Sequence, residues 1–389
     1  MDKPGRVSGW GDVGKCETKS YRLFPFCWLL DQNRIDRFFG LGQTLAMKLK
    51  LHLRSDRQAR ICLKRAKRRK ISSQKLLCSR KNIPWCGKRR LFRQIDVPLA
   101  IHIDADGNRR DFLKFLEKFR YECLVNDRRV ILNFRKTEFV TAPAMLLFIS
   151  EVDRAKHILG SRFSVAISDV KNLNTKHVLV QIGFYELCNL TAPKLEKQNF
   201  SDAVRHWRFA SGERVDDDTN RAFDEIGERI APEARRGIWR GLSEALINSA
   251  QHAYAEPRGT VGPELPSKRW WMFSQERDGM LTIAVCDLGI GIPRSLPLNW
   301  SQGILAQLGS KLQLTEGPDV RAVRIALQVG QTSTGATNRG KGLPQIWEAV
   351  RGSPDAGILI LSNRARLTWN AKEDKEFAKE CADSIHGTL

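Results

Sequence analysis

From about residue 97 the chain alternates apolar runs of strand length with longer segments of helical period, and this constrains the fold more than any other feature. Residues 97–103 read as a strand closed by the turn DADG at 104–107. Residues 109–124 read as a helix with Phe112, Leu113, Phe115, Leu116 and Phe119 on one side. RVILNF at 129–134 is a buried strand, 143–158 a helix, 163–168 a strand and 174–188 a helix. Strands separated by helices imply an α/β layer around one covered sheet. A polar connector follows over 189–218. Beyond it come helices at 219–231 and 233–254, split by Pro232, and strands at 269–275 and 280–287. A Gly/Ser/Thr-rich stretch then runs to about 339 with one amphipathic helix near 301–313, before a helix at 342–351 and strands at 357–361 and 366–369. No internal repeat is present.

Charge divides the chain in two. Residues 1–94 hold 25 Lys/Arg against 6 Asp/Glu, whereas residues 95–389 hold 40 against 37. The first segment lacks a sustained period and carries KRAKRRK at 64–70, so it reads as a basic, disordered extension or a polyanion-binding arm. Such an arm gives salt-sensitive, sequence-independent contacts, which makes nucleic acid a candidate partner through residues 1–94. The apolar run FPFCWLL at 24–30 is too short to cross a bilayer and lacks the layout of a cleavable signal. Nine cysteines occur with no C-x-x-C pair, which argues against a disulfide framework or a zinc ribbon and for a cytoplasmic protein with reduced thiols.

Three stretches carry chemistry. In LSEALINSAQHAY (242–254), Glu244, Asn248 and His252 fall four residues apart and share one helix edge, opposite Leu242, Ala245, Leu246, Ser249, Ala250 and Ala253. A polar stripe on a lone helix is normally a solvated face, so its meaning depends on the other two stretches. The strand at 280–287 ends in CDLGIGI, where an acid, Asp287, precedes Gly289 and Gly291. Glycines there let backbone approach a flat ligand while the carboxylate accepts from an exocyclic amine. The third stretch, GQTSTGATNRGKGL (330–343), is a hydroxyl- and glycine-dense loop that runs into a helix, and its amides with Lys341 make an anion cradle.

In this order, E-x-x-x-N-x-x-x-H, D-x-G-x-G-I and R-G-x-G-L resemble the motifs of the GHKL ATPase superfamily, over roughly residues 216–389. The form SEALINSAQHAY is most similar to the anti-sigma-factor serine kinases. That resemblance implies a Bergerat-type α/β sandwich with ATP and Mg²⁺ as cofactors. Asn248 would offer its side-chain oxygen to Mg²⁺, Asp287 would take the adenine amine, and Gly289 and Gly291 would line the base. Gly340, Lys341 and Gly342 would hold phosphates under a lid, with His252 and Thr334 counted among the nucleotide contacts. Glu244 matches the general base that aligns a hydroxyl or water.

The block at 95–190 resembles, more faintly, a STAS domain. The position of that family's phosphorylated serine falls on Ala142 or Pro143, and Thr141 is the nearest hydroxyl. His386-Gly-Thr-Leu389 resembles the start of the ATPase family's final strand, which suggests an incomplete sheet edge there. The resulting organisation is a basic extension (1–94), a STAS-like α/β domain (95–190), a connector (191–215) and a GHKL ATP-binding domain (216–389). The expected activity is ATP hydrolysis or phosphorylation of a Ser/Thr protein partner, and the resemblance admits a homodimer. The alternative is a non-catalytic ATP-dependent switch, which has no need of Glu244. A sensor histidine kinase is disfavoured because no histidine-bearing hairpin precedes the ATPase block: His206, in RHWR, reads as a surface residue.

Overall fold

A computed structural model of the protein describes residues 91–104, 106–168, 170–195, 207–213, 232–277, 280–312, 315–332, 342–352 and 355–389. All of them belong to one compact unit, Ser73–Leu389. Residues 1–90 of the basic extension and the expected helix at 219–231 lie outside the described residues.

The first layer is a parallel sheet in the order β1 (Phe92–Asp96), β3 (Arg129–Asn133), β5 (Val165–Ser168). Helix α1 (Asp106–Arg120) links β1 to β3, and α2 (Ala142–Leu159) links β3 to β5. Of the strand expected at 97–103, only Ala100–Ile101 is a strand, and β1 precedes it. Pro98 has no N–H to give a ladder, so β1 ends before it and β2 (Ala100–Ile101) pairs separately with β4 (Phe139–Val140). The helix expected at 174–188 is likewise α3 (Leu173–Gln181) and α4 (Phe184–Leu187), broken where Gly183 takes φ +69°.

The second layer is antiparallel. Strand β6 (Arg208–Gly212) pairs with β7 (Trp270–Arg277), which pairs with β8 (Met280–Asp287). After the helices α6 (Ile292–Asn299), α7 (Gln302–Lys311), α8 (Pro318–Thr332) and α9 (Gly342–Arg351), a second ladder follows. It orders β9 (Gly357–Ser362), β10 (Ala365–Asn370) and β11 (Lys375–Glu380). Residues 387–389 join the two ladders: Thr388 pairs with Asp287 on one side and Ser362 on the other. Leu389 exchanges two hydrogen bonds of 2.8 Å with Leu361. These residues therefore lie inside the sheet, not at its edge.

Strands β7 and β8 are covered on both faces, and their period-2 alternation sorts the side chains. Trp270, Met272, Ile283 and Val285 face α5 (Pro232–His252), packing on its Leu242 and Leu246. Trp271, Phe273 and Cys286 face the other way into the core that contains α2. The parallel and antiparallel layers thus share one hydrophobic core, and α2 is buried along nearly its whole length.

Burial forces the charges of α2 to find partners. Glu151 is fully buried and meets Arg258 at 2.7 Å, Arg120 at 2.8 Å and Arg154 at 3.6 Å. Burial alone would raise its pKa, but the guanidiniums of Arg258, Arg120 and Arg154 overcome this and hold it down at about 2. Asp153 accepts the Trp271 indole N–H at 2.9 Å. Arg258 and Arg109 also hold backbone carbonyls far along the chain. Arg258 donates to the carbonyls of Ile385 and His386, and Arg109 to those of Asp383 and Asn363.

Helix α9 packs on α5 through Gly241, where a Cβ would lie 2.6 Å from Ile346 Cγ1 and 3.2 Å from its Cα. Helix propensity alone says Gly241→Ala should stabilise by about 1 kcal/mol. Overpacking costs about 1–3 kcal/mol, and it should win here because backbone stands in the way. A thermal melt of Gly241→Ala should therefore show a lower Tm. A raised Tm would mean that the two helices are not in this contact.

Candidate functional site

Helix α5 carries the first sequence stretch, contacts the loop that holds the second, and packs against α9, at whose start the third stretch ends. Residues 333–341 of that third stretch lie outside the described residues. Its apolar side is buried at Leu242, Leu246, Ser249 and Ala253, with the Ser249 hydroxyl returned to the Ala245 carbonyl at 2.9 Å. Glu244, Asn248 and His252 stand along its half-buried edge. At its end, the Ala253 carbonyl accepts the Ile290 N–H at 2.7 Å, tying the helix to the loop that follows β8.

That loop is built on its glycines. A Cβ on Gly289 would lie 2.0 Å from the Ala253 carbonyl oxygen, so no side chain fits there. Gly291 adopts φ +78°, and a Cβ on it would meet the Asn363 side chain at 2.8 Å. Both glycines are thus demanded by the packing of the loop itself, whatever else they do.

Asp287 closes β8, two residues beyond Val285, on the face that α5 covers. It is 7% exposed, and one carboxylate oxygen accepts the Gly289 N–H at 3.0 Å. Burial pushes its pKa up to about 6, offset only in part by the Gly289 N–H and the charge of Arg258. The nearby Tyr254 hydroxyl receives the Leu288 N–H and donates to the Arg269 carbonyl. Burial pushes that phenol's pKa upward, so it stays a donor.

Several residues that shape the loop have no motif in the sequence. Asn363, in the turn between β9 and β10 with φ +50°, donates to the Ile290 carbonyl at 2.9 Å and accepts the Gly387 N–H at 3.2 Å. The Ser362 hydroxyl takes the Ile292 N–H at 2.9 Å, at the start of α6. The only advance signal is the Ser362-Asn363 pair after an apolar strand, since Asn tolerates the left-handed conformation a turn needs.

Of the expected phosphate residues, Gly342 opens α9, whereas Thr334, Gly340 and Lys341 lie outside the described residues. In the parallel layer, the Thr141 hydroxyl donates to the Ile101 carbonyl at 3.3 Å beside the start of α2. Comparisons of the chain with protein-family models, with characterised proteins and with solved structures find no match. Among the described residues, no helix is long and apolar enough to cross a membrane.

Chemically, the arrangement offers a buried carboxylate at a strand end beside a close-packed glycine turn. A polar helix edge carrying an acid, an amide and an imidazole belongs to the helix that anchors this turn. The burial of this carboxylate is only partly offset by the Gly289 N–H and the Arg258 charge, so a further donor would stabilise it.

Proposed function

We propose that the chain binds ATP with a GHKL-type, Bergerat-like domain fused behind a STAS-like layer, and that it hydrolyses ATP or phosphorylates a Ser/Thr protein partner. The observation that carries this reading is Asp287. It is a carboxylate held in a buried position with its pKa raised, next to a turn whose glycines let Ala253 and Asn363 pack close against the loop. An adenine amine would add a further donor to this carboxylate, and a guanine carbonyl would not.

Asn248 would share Mg²⁺ with the nucleotide phosphates, in keeping with that ion's habit of using few protein ligands. Glu244, one turn before Asn248 on the same half-buried edge, would accept a proton from the attacking water or hydroxyl. The parallel β1-β3-β5 layer supports the STAS-like reading, and the core it shares with β7 and β8 supports coupling between the two.

Calorimetry with ATP and GTP in Mg²⁺ tests the ligand. ATP should bind at least tenfold more tightly, and equal affinities would remove the assignment of Asp287. Turnover is tested separately. Glu244→Ala should keep ATP binding while phosphate release or phosphotransfer falls about 10²–10⁴-fold. Unchanged turnover would favour a non-catalytic ATP-dependent switch.

A further inference from the structure

Helices α6, α7 and α8 border an open recess of about 730 Å³ at the surface that the nucleotide reading does not use. Leu296, Leu305, Ala322 and Ile325 make its walls apolar, while Arg321, Ser310 and Thr315 bring polar groups to it. No carboxylate is among its described lining residues. The acids that neighbour Arg321 in sequence are engaged elsewhere. Glu316 pairs with Arg324 at 3.0 Å, and Asp319 accepts the Arg364 backbone N–H at 2.9 Å. The recess therefore combines greasy walls with one cation that neither acid neutralises.

Gly309 supplies an independent observation. It sits inside α7, where glycine is about 1 kcal/mol worse than alanine. A Cβ there would meet nothing nearer than Ile325 Cδ1 at 3.8 Å, so packing does not require glycine. Any longer side chain at this position would enter the recess, which glycine keeps open.

Size identifies the kind of occupant. The volume falls in the range of small-molecule sites, about 300–1,000 Å³. The lining is a dozen residues, fewer than the roughly 20–30 a side of a standard protein interface. We propose that this recess binds an apolar monocarboxylic acid, its hydrocarbon part between α6, α7 and α8 and its carboxylate on the Arg321 guanidinium. A guanidinium fork matches a carboxylate with two parallel hydrogen bonds, and the Ser310 and Thr315 hydroxyls are further donors at the recess.

The test is calorimetry on the full-length protein with decanoate, decanol and decylamine, each below its aggregation concentration. Decanoate should bind at one per chain, at least tenfold more tightly than decanol or decylamine. Arg321→Gln should bring decanoate down to the level of decanol. Gly309→Leu, which fills the recess with a better helix former, should abolish decanoate binding at an unchanged or higher Tm. The proposal is overturned if decanoate does not bind, if decanol binds equally well, or if Gly309→Leu retains the decanoate affinity.

Discussion

Replacing Glu151 by Gln should lower stability by about 3–5 kcal/mol, the usual cost of removing one partner from a buried ion pair. Three guanidiniums, those of Arg258, Arg120 and Arg154, would lose the one carboxylate they share at 2.7, 2.8 and 3.6 Å. In a unit of this size that loss corresponds to a Tm drop on the order of 10 °C. The damage should not stay local. Arg258 also holds the carbonyls of Ile385 and His386, just before the residues that join β8 to β9.

The pH dependence has a definite sign. The Glu151 pKa is depressed on folding, from 4.5 to about 2. Its contribution is therefore complete above about pH 4.5 and is lost as pH falls towards 2. Wild type should lose stability across that window, and Glu151→Gln should lack this component. A double-mutant cycle with Arg258→Met should give a coupling above about 1 kcal/mol. A stability change within about 0.5 kcal/mol for Glu151→Gln alone would show that the network is solvated and not buried.

This network marks the limit of what the sequence reveals. A helix over 143–158 follows from its period, but nothing local marks Glu151, Asp153 and Arg154 as buried. They are buried because β7 and β8 cover a face that a lone α/β layer would leave to water. Their partners Arg258 and Trp271 lie far along the chain, beyond any local pattern. Strand β6 was hidden in a polar connector, since it forms only by pairing with β7. Strand β11, KEFAKE, is a charged edge strand, and charge is how edges avoid further pairing. Whereas α7 is the amphipathic helix expected near 301–313, helices α6 and α8 lay in a stretch rich in Gly, Ser and Thr that reads as loop. Even there Val320, Val323 and Leu327, all buried, carry a legible helical spacing.

Some of the candidate site's placement was legible from local period alone. The edge formed by Glu244, Asn248 and His252 depends only on helical period, and the position of Asp287 on the α5 face depends only on strand period. The parts that tie them together were not legible. They rest on the Ala253 carbonyl, the Asn363 turn and the C-terminal residues 387–389, all backbone or turn contacts between distant segments.

Asp287→Asn should move stability and ligand affinity in opposite directions, which a purely structural acid would not do. In the free protein the carboxylate is buried with its pKa raised from 3.8 to about 6. Stability therefore falls as pH rises from about 4 to 6, and at pH 8 the penalty is on the order of 3 kcal/mol. Asn keeps an oxygen for the Gly289 N–H and removes the charge, so the variant should melt several degrees higher at pH 8 and show no such dependence. ATP affinity should fall roughly 10- to 150-fold, because a hydrogen bond to a charged group is worth about 1.5–3 kcal/mol. The two proteins should converge in acid. Below pH 6 the wild-type carboxyl takes up a proton and no longer offers a charged acceptor, so the ratio of their ATP affinities should shrink between pH 8 and pH 5. Changes in the nucleotide's own protonation cancel in that ratio. A variant that is less stable at pH 8 and binds ATP as wild type does would make Asp287 a structural residue and leave the site without its adenine acceptor.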